Sequence, residues 1–147
     1  MIASATERAR ELTILVVDDD DGDARSVQRA FKSARIINPL QRACDGADAL
    51  DILRGTNGRT RLKSPYLLLV DINMPRMNGI ELVRELRLDS NLNRSVVFIL
   101  TTSSRDEDMV ASYDLNVAGY ILKERVGEDF QRLVDLMQVY WRIVELP

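Results

Sequence analysis

Apolar runs rich in Val, Ile and Leu recur along the 147-residue chain and alternate with segments whose apolar residues fall at helical spacing. The runs are continuous rather than alternating with polar residues, which is typical of parallel strands covered on both faces. They predict strands at residues 12–17, 40–44, 66–70, 96–100 and 119–122.

The intervening segments predict amphipathic helices. Three apolar helical faces are Ala24, Val27, Phe31 and Ala34; Leu82, Val83 and Leu86; and Val110, Tyr113 and Val117. The alternation predicts an α/β fold of the (βα)5 type, a doubly wound parallel five-stranded sheet with ligands bound at the carboxyl ends of the strands.

Charge and composition exclude several classes of function. The net charge is −3, from 20 basic and 23 acidic residues, and their interspersion leaves no broad basic surface, so direct binding of nucleic acid is not expected. Residues 1–11 contain Glu7 and Arg8 and no long apolar stretch, which predicts neither a secretory signal nor a membrane anchor. We expect a soluble, cytoplasmic protein.

Cysteine and histidine offer little chemistry here. The single cysteine, Cys44, ends an apolar run and is interpreted as a packing residue rather than a redox group. The chain has no histidine, so any metal or catalytic chemistry must use oxygen atoms and amines.

Polar side chains follow the predicted central strands. They are Asp18 and Asp19 after the first, Asp71 after the third, Thr101 and Thr102 after the fourth, and Lys123 after the fifth. Three converging carboxylates would repel one another unless a divalent cation neutralised them, and an all-oxygen ligand set favours Mg²⁺. Asp20 and Asp21 precede a helix and are interpreted as capping or solvated residues.

The segment LLLVDINMPRMNG places Asp71 at the end of an apolar strand, before a turn stiffened by Pro75 and a helix opened by Gly79. Beside a metal, such a carboxylate is a possible nucleophile towards phosphorus. Taken alone, Asp71 is equally consistent with a residue that caps a turn.

The segments ILVVDDD, LLLVDINMPRMNG, FILTTS and AGYILK, in this order, resemble the receiver domain of two-component response regulators over about residues 12–141. The resemblance implies the flavodoxin-like receiver fold, with Asp71 accepting a phosphoryl group from a histidine kinase. It also implies that Asp18, Asp19 and Asp71 hold Mg²⁺ together with the backbone carbonyl of Asn73.

The same resemblance implies that Thr101 hydrogen-bonds the phosphoryl group and that Lys123 is its ammonium partner. Tyr120 matches an aromatic switch, with a plain core role as the alternative. Glu124 stands where most receivers carry a proline, usually after a cis bond. A non-proline cis bond costs about 3 kcal/mol, so the resemblance leaves the geometry of this bond open.

The segments TTSSRDEDMVASYDLNVAGYILK and YWRIVELP resemble stand-alone receivers paired with phytochrome-type histidine kinases. We expect an N-terminal extension at residues 1–11, a receiver at 12–143 and a tail at 144–147, with signalling by docking to partners. Turnover of a foreign substrate is not expected.

Two rival functions remain. A haloacid-dehalogenase-type phosphatase needs an acid two residues after its nucleophilic aspartate, where this chain has Asn73. A degenerate receiver would be a binding module without phosphorylation, but it would be expected to lack an acid, the threonine or the lysine.

The apolar residues near the C-terminus fall at helical spacing and predict a further helix, with more apolar surface than one face requires. One stripe contains Phe130, Leu133, Val134, Met137 and Trp141. A second contains Leu136, Val139, Tyr140 and Ile143, and is extended by Val144 and Leu146. The surplus predicts a two-fold homodimer through this helix and tail, with folding of the tail over its own domain as the alternative.

Overall fold

A computed structural model of the chain describes residues 12–111, 113–132 and 135, without the side chain of Ser104. Its five strands are β1 (Thr13–Val17), β2 (Leu40–Ala43), β3 (Tyr66–Asp71), β4 (Val96–Thr101) and β5 (Gly119–Leu122). They form one sheet in the order β2-β1-β3-β4-β5, and every neighbouring pair is parallel. The predicted doubly wound α/β fold is confirmed.

Helices connect the strands. They are α1 (Asp21–Ser33), α2 (Gly46–Arg54), α3 (Gly79–Leu88) and α4 (Ser104–Ala111). After β5 the chain makes a 3-10 turn at Lys123–Arg125 and enters a helix, α5, of which residues 126–132 and 135 are described. None of the helices in the described segments has the length and apolar character needed to cross a bilayer.

Helices bury both faces of the sheet. Successive strand residues point to opposite faces, so each strand contributes to both layers. Leu15 and Val17 of β1 belong to a cluster that includes residues of α2, α3 and α4. Ile14 and Val16 belong to a second cluster with residues of α1 and α5. A continuous apolar run therefore supplies both layers of the core.

Helix starts are set by local chemistry. Asp20 caps α1 by accepting a hydrogen bond from the Asp23 N–H at 2.9 Å, which confirms the capping role predicted for this acid. Asp45 caps α2 in the same way. Asn78 and Glu81 form a reciprocal capping box at the start of α3.

Two strands are one residue longer than predicted. Asp71 is the last residue of β3 and pairs in register with Leu100, and Thr101 is the last residue of β4 and pairs with Leu122. Sheet pairing therefore holds the backbone of both residues, which are better fixed than residues of a free loop.

The helical face predicted at residues 110–117 does not form. Helix α4 ends at Ala111, so Val110, Tyr113 and Val117 do not share one helical face. The backbone has positive φ angles at Asp114 and Asn116, which helical geometry does not allow.

Cys44 is exposed rather than packed in the core. It follows the last residue of the edge strand β2, where its N–H donates to Asp48. An edge position with neighbours on one side only does not enclose its side chain.

Arg87, near the end of α3, links two loops through one guanidinium group. It donates to the backbone carbonyl oxygens of Asn93, Ser95, Leu115 and Asn116 at 2.8–3.0 Å.

We expect Arg87→Met to lower the free energy of unfolding by about 2 kcal/mol, because the carbonyls lose their donors. Urea unfolding measures this, with exposed Arg94→Met as the control. Equal stability of the two variants would show that the hydrogen bonds of Arg87 do not stabilise the fold.

Candidate metal and phosphoryl site

The carboxyl ends of β1 and β3 bring three aspartates together. Ligand oxygens of Asp18, Asp19 and Asp71 all lie within 4.8 Å of one another. Asp18 has no exposed surface and Asp71 is 8% exposed, whereas Asp19 is exposed. Parallel strands end at the same edge, so residues 53 positions apart become neighbours, as expected from their strand positions.

The run of four aspartates is divided among four environments. Asp18 is buried, Asp19 is exposed, and Asp20 caps α1. Asp21 forms an ion pair with Arg42 of β2. This ion pair offsets the charge of one of the four consecutive aspartates.

Arg42 is a site residue that the sequence analysis missed. Its Nε and Nη2 atoms donate to the backbone carbonyl of Asp18 at 3.1 and 2.9 Å. These two hydrogen bonds hold the turn that carries Asp18 and Asp19. The available signal was a charged residue within the predicted second strand.

Lys123 lies at the end of β5 and contacts three carboxylates. Its Nζ atom is 3.2 Å from Asp71 Oδ1 and 3.4 Å from Asp18 Oδ2. A shorter contact, 2.7 Å, joins it to Asp23 Oδ2 on α1. Burial opposes the charge, but the carboxylates outweigh it and raise the pKa of Lys123 above its usual value.

Burial is the main reason why both inner aspartates are poor acids. It raises the pKa of Asp71 to about 6, against the opposing charge of Lys123, and the charge of Asp18 adds to the rise. Burial also raises the pKa of Asp18, although its Oδ1 accepts a hydrogen bond from the Asp20 N–H at 3.0 Å. Both carboxylates therefore gain from a nearby cation.

The hydroxyl of Thr101 is poised without a partner. Thr101 is 1% exposed, and its Oγ1 atom makes no hydrogen bond to the described residues. Such a group is costly to bury unless something binds it. Thr102, by contrast, is exposed and donates to Asp106 Oδ2 at 3.2 Å.

A cleft of about 280 Å³ lies at this edge of the sheet. It is lined by Asp19, Asp20, Asp23, Asp71, Asn73, Thr102, Asp106 and Lys123. Asp23 and Asp106 had not been identified from the sequence, because nothing in their local sequence context marks them. Asn73 is exposed at the rim, two residues after Asp71.

Tyr120 lies on β5, is partly buried, and packs against the core cluster that contains Val110. Burial raises the pKa of its hydroxyl, and the charges of Glu107 and Asp108 add to this. The peptide bond between Lys123 and Glu124 is trans. The chain thus presents Lys123 without the cis bond that is usual in receivers.

Gly79 is required by close packing at the base of the site. A Cβ atom there would lie 2.3 Å from the carbonyl oxygen of Asp71 and 3.0 Å from Cα of Ile72. The Gly79 N–H also donates to the Ile72 carbonyl at 2.9 Å. The glycine therefore serves close approach between α3 and the Asp71 backbone rather than backbone freedom alone.

The donor set fits a hard divalent cation. Asp18 Oδ2 is buried and accepts no hydrogen bond from the described residues, although Lys123 Nζ lies 3.4 Å away. Together with Asp19 and Asp71 it offers three carboxylate oxygens and no nitrogen or sulfur ligand. Mg²⁺ takes few protein carboxylates and fills its remaining positions with waters and phosphate oxygens, which suits this open cleft.

Comparison with known proteins identifies the family. The profile of the response regulator receiver domain matches residues 14–136. The response regulator Rcp1 of Synechocystis is 34% identical over 135 residues, 91% of this chain and 92% of its own length. The structure of its Mn²⁺-bound form superposes with a TM-score of 0.67 at 33% identity, covering 88% of this chain and 94% of the other.

Two further structures agree. A two-component response regulator from Legionella pneumophila has a TM-score of 0.76 at 36% identity, covering 87% of this chain and 98% of its own. The phosphorylated cyanobacterial phytochrome response regulator RcpA has a TM-score of 0.69 at 30% identity, covering 89% and 94%. The chain therefore belongs to the response regulator receiver family, in the group that contains the phytochrome response regulators.

Proposed function

We propose that this receiver accepts a phosphoryl group on Asp71 from a histidine kinase, with Mg²⁺ bound by Asp18, Asp19 and Asp71. The observation that carries the proposal is the convergence of three carboxylates within 4.8 Å, with Lys123 Nζ 3.2 Å from Asp71. Asn73, which lines the same cleft, is proposed to supply its backbone carbonyl as a further ligand.

In the transfer, an Asp71 carboxylate oxygen attacks phosphorus and an O–P bond forms. The bond from phosphorus to the donor nitrogen or oxygen breaks, and the donor leaves with the electron pair. Lys123 offsets charge on the phosphoryl oxygens, and the unpartnered Thr101 hydroxyl donates to one of them. The metal, when bound, neutralises charge on the transferring group.

Later hydrolysis by water returns Asp71 to the carboxylate and releases phosphate. The chemistry is therefore confined to the protein's own aspartyl phosphate, and no foreign substrate is turned over. Asn73 supports this reading over a haloacid-dehalogenase-type phosphatase, because an amide cannot protonate a leaving group.

A phytochrome-type histidine kinase is the proposed donor, on the strength of similarity to RcpA and Rcp1. The signal is proposed to pass by docking to partner proteins in the cytoplasm, with Tyr120 and Thr101 responding to the phosphoryl group. These roles are proposed for this chain from its membership of the family. The receiver is proposed to span residues 12–143.

The decisive experiment is incubation with acetyl phosphate and Mg²⁺, followed by mass spectrometry of the intact protein and, after borohydride reduction of the aspartyl phosphate to homoserine, of its peptides. We expect one phosphoryl group at Asp71 and none when Mg²⁺ is removed by chelation. A receiver that remains unmodified under both conditions would be a degenerate binding module, and the proposal would be wrong.

We further propose homodimerisation through the C-terminal helix and tail. The support is the second apolar stripe at Leu136, Val139, Tyr140 and Ile143, which lies outside the described residues. Size-exclusion chromatography with light scattering should give a dimer for the full chain and a monomer for a chain ending at Gln138. A full-length monomer with and without phosphodonor would contradict this.

A further inference from the structure

Asp23 is the closest of the three carboxylates that contact Lys123. Its Oδ2 atom accepts a hydrogen bond from Lys123 Nζ at 2.7 Å, and the ammonium is more distant from Asp71 and Asp18, at 3.2 and 3.4 Å. The motifs that identify the receiver assign no role to Asp23. It lies 100 residues from Lys123 in sequence, so only the fold reveals the contact.

The two other carboxylates have a competing demand. Asp18 and Asp71 are buried, and in the absence of a divalent cation Lys123 is their counterion. A cation that binds the same oxygens repels the ammonium, since both are positive. The ammonium then needs another partner, because a partly buried unpaired charge is costly.

Asp23 is placed to be that partner. It lines both the acidic cleft and a separate groove of about 920 Å³ between α1 and α5. Its side chain is 47% exposed, whereas the side chain of Asp71 is 12% exposed. An ammonium paired with Asp23 can therefore leave the inner carboxylates while it keeps its shortest contact.

We propose that Asp23 is a positioning residue that holds Lys123 when a divalent cation occupies Asp18 and Asp71, and that competes with the phosphoryl group for the ammonium. The inference rests on the proposed function. Asp23 thus favours Mg²⁺ binding, because it draws Lys123 away from the metal ligands. It opposes the phosphorylated conformation, because that conformation needs the same ammonium.

Asp23→Asn tests the proposal against Asp20→Asn. Asp20 lines the same cleft, but its carboxylate contacts the Asp23 N–H rather than Lys123, and asparagine is an equally good cap. Both variants remove one negative charge near the metal. In calorimetric titrations with Mg²⁺ alone, we expect the dissociation constant to rise about twofold for Asp20→Asn and about fivefold to tenfold for Asp23→Asn.

The affinity for beryllofluoride, a phosphoryl analogue, should change in the opposite direction to the affinity for Mg²⁺. At saturating Mg²⁺ we expect Asp23→Asn to bind it about threefold to fivefold more tightly than Asp20→Asn, because Lys123 is free to contact the anion. A variant that was merely misfolded would lose affinity for both ligands. Weaker metal binding with stronger anion binding is therefore the specific signature of the positioning role.

The decisive comparison repeats both variants in a Lys123→Met background. There the two substitutions should have equal effects, because the ammonium that distinguishes them is gone. Equal effects in the wild-type background, or a difference that persists without Lys123, would overturn the role of Asp23. Failure of the wild type itself to bind Mg²⁺ and beryllofluoride would instead overturn the proposed function, and this role with it.

Discussion

Asp71→Asn is expected to abolish phosphoryl uptake from acetyl phosphate, because the amide keeps the shape of the side chain but is not a nucleophile. Intact-mass spectrometry should show the phosphorylated species in the wild type and none in the variant. Asp20→Asn is the matched control, since it removes the same charge from the same cleft. Stoichiometric uptake by Asp71→Asn would place the phosphoacceptor elsewhere.

The same substitution should stabilise the metal-free protein. Burial raises the pKa of Asp71 from 3.8 to about 6, so the folded protein binds this proton more tightly than the unfolded chain does. The stabilising contribution is present below pH 3.8 and is lost as the pH rises through about 6. At neutral pH, Asp71→Asn removes the cost of burying a charge, which we expect to be about 2 kcal/mol.

Urea unfolding in the presence of a chelator measures this gain. The wild type should become less stable between pH 4 and pH 7 by comparison with Asp71→Asn, which lacks the titrating group. Addition of Mg²⁺ should stabilise the wild type and have little effect on the variant. Parallel pH profiles for the two proteins would show that ionisation of Asp71 does not lower the free energy of unfolding.

Lys123→Met is expected to destabilise the metal-free protein by about 2–3 kcal/mol at neutral pH. The substitution leaves Asp18 and Asp71 buried without a counterion, and loss of one partner from a buried ion pair is strongly destabilising. Protonation of Asp71, whose pKa is already raised to about 6, limits the loss. Urea unfolding in a chelator measures the difference.

Mg²⁺ should restore much of this stability and should bind Lys123→Met at least about tenfold more tightly than it binds the wild type, because a competing cation is gone. The exposed Lys63→Met serves as the control for loss of a lysine. Phosphoryl uptake and the response to it should nevertheless be impaired in Lys123→Met. A variant with weaker Mg²⁺ binding would show that Lys123 supports the metal rather than competing with it.

Much of the fold and most of the site could be predicted from the sequence, because both depend on local patterns. Continuous apolar runs are sufficient to indicate buried parallel strands, and the ends of parallel strands meet at one edge. The sequence alone therefore predicts that Asp18, Asp71 and Lys123 belong to one site. The distances of 3.2 and 3.4 Å from Lys123 agree with that assignment.

Features that depend on neighbours distant in sequence could not be predicted. Cys44 follows a predicted strand, but that strand is at the edge of the sheet and the cysteine side chain is exposed. Strand order, rather than composition, determines how many neighbours enclose such a residue. Apolar periodicity likewise does not reveal that α4 ends at Ala111 or that Asp114 and Asn116 have positive φ angles.

The electrostatic partners of the site belong to the same class. Arg42 contacts the Asp18 carbonyl only because β2 lies beside β1, and Asp23 reaches Lys123 only because α1 begins near the end of β5. Motifs and periodicity report the chemistry of each residue and the face on which it lies. Which charges become neighbours is a property of the packed chain, because Coulomb interactions depend on distance in space and not on separation in sequence.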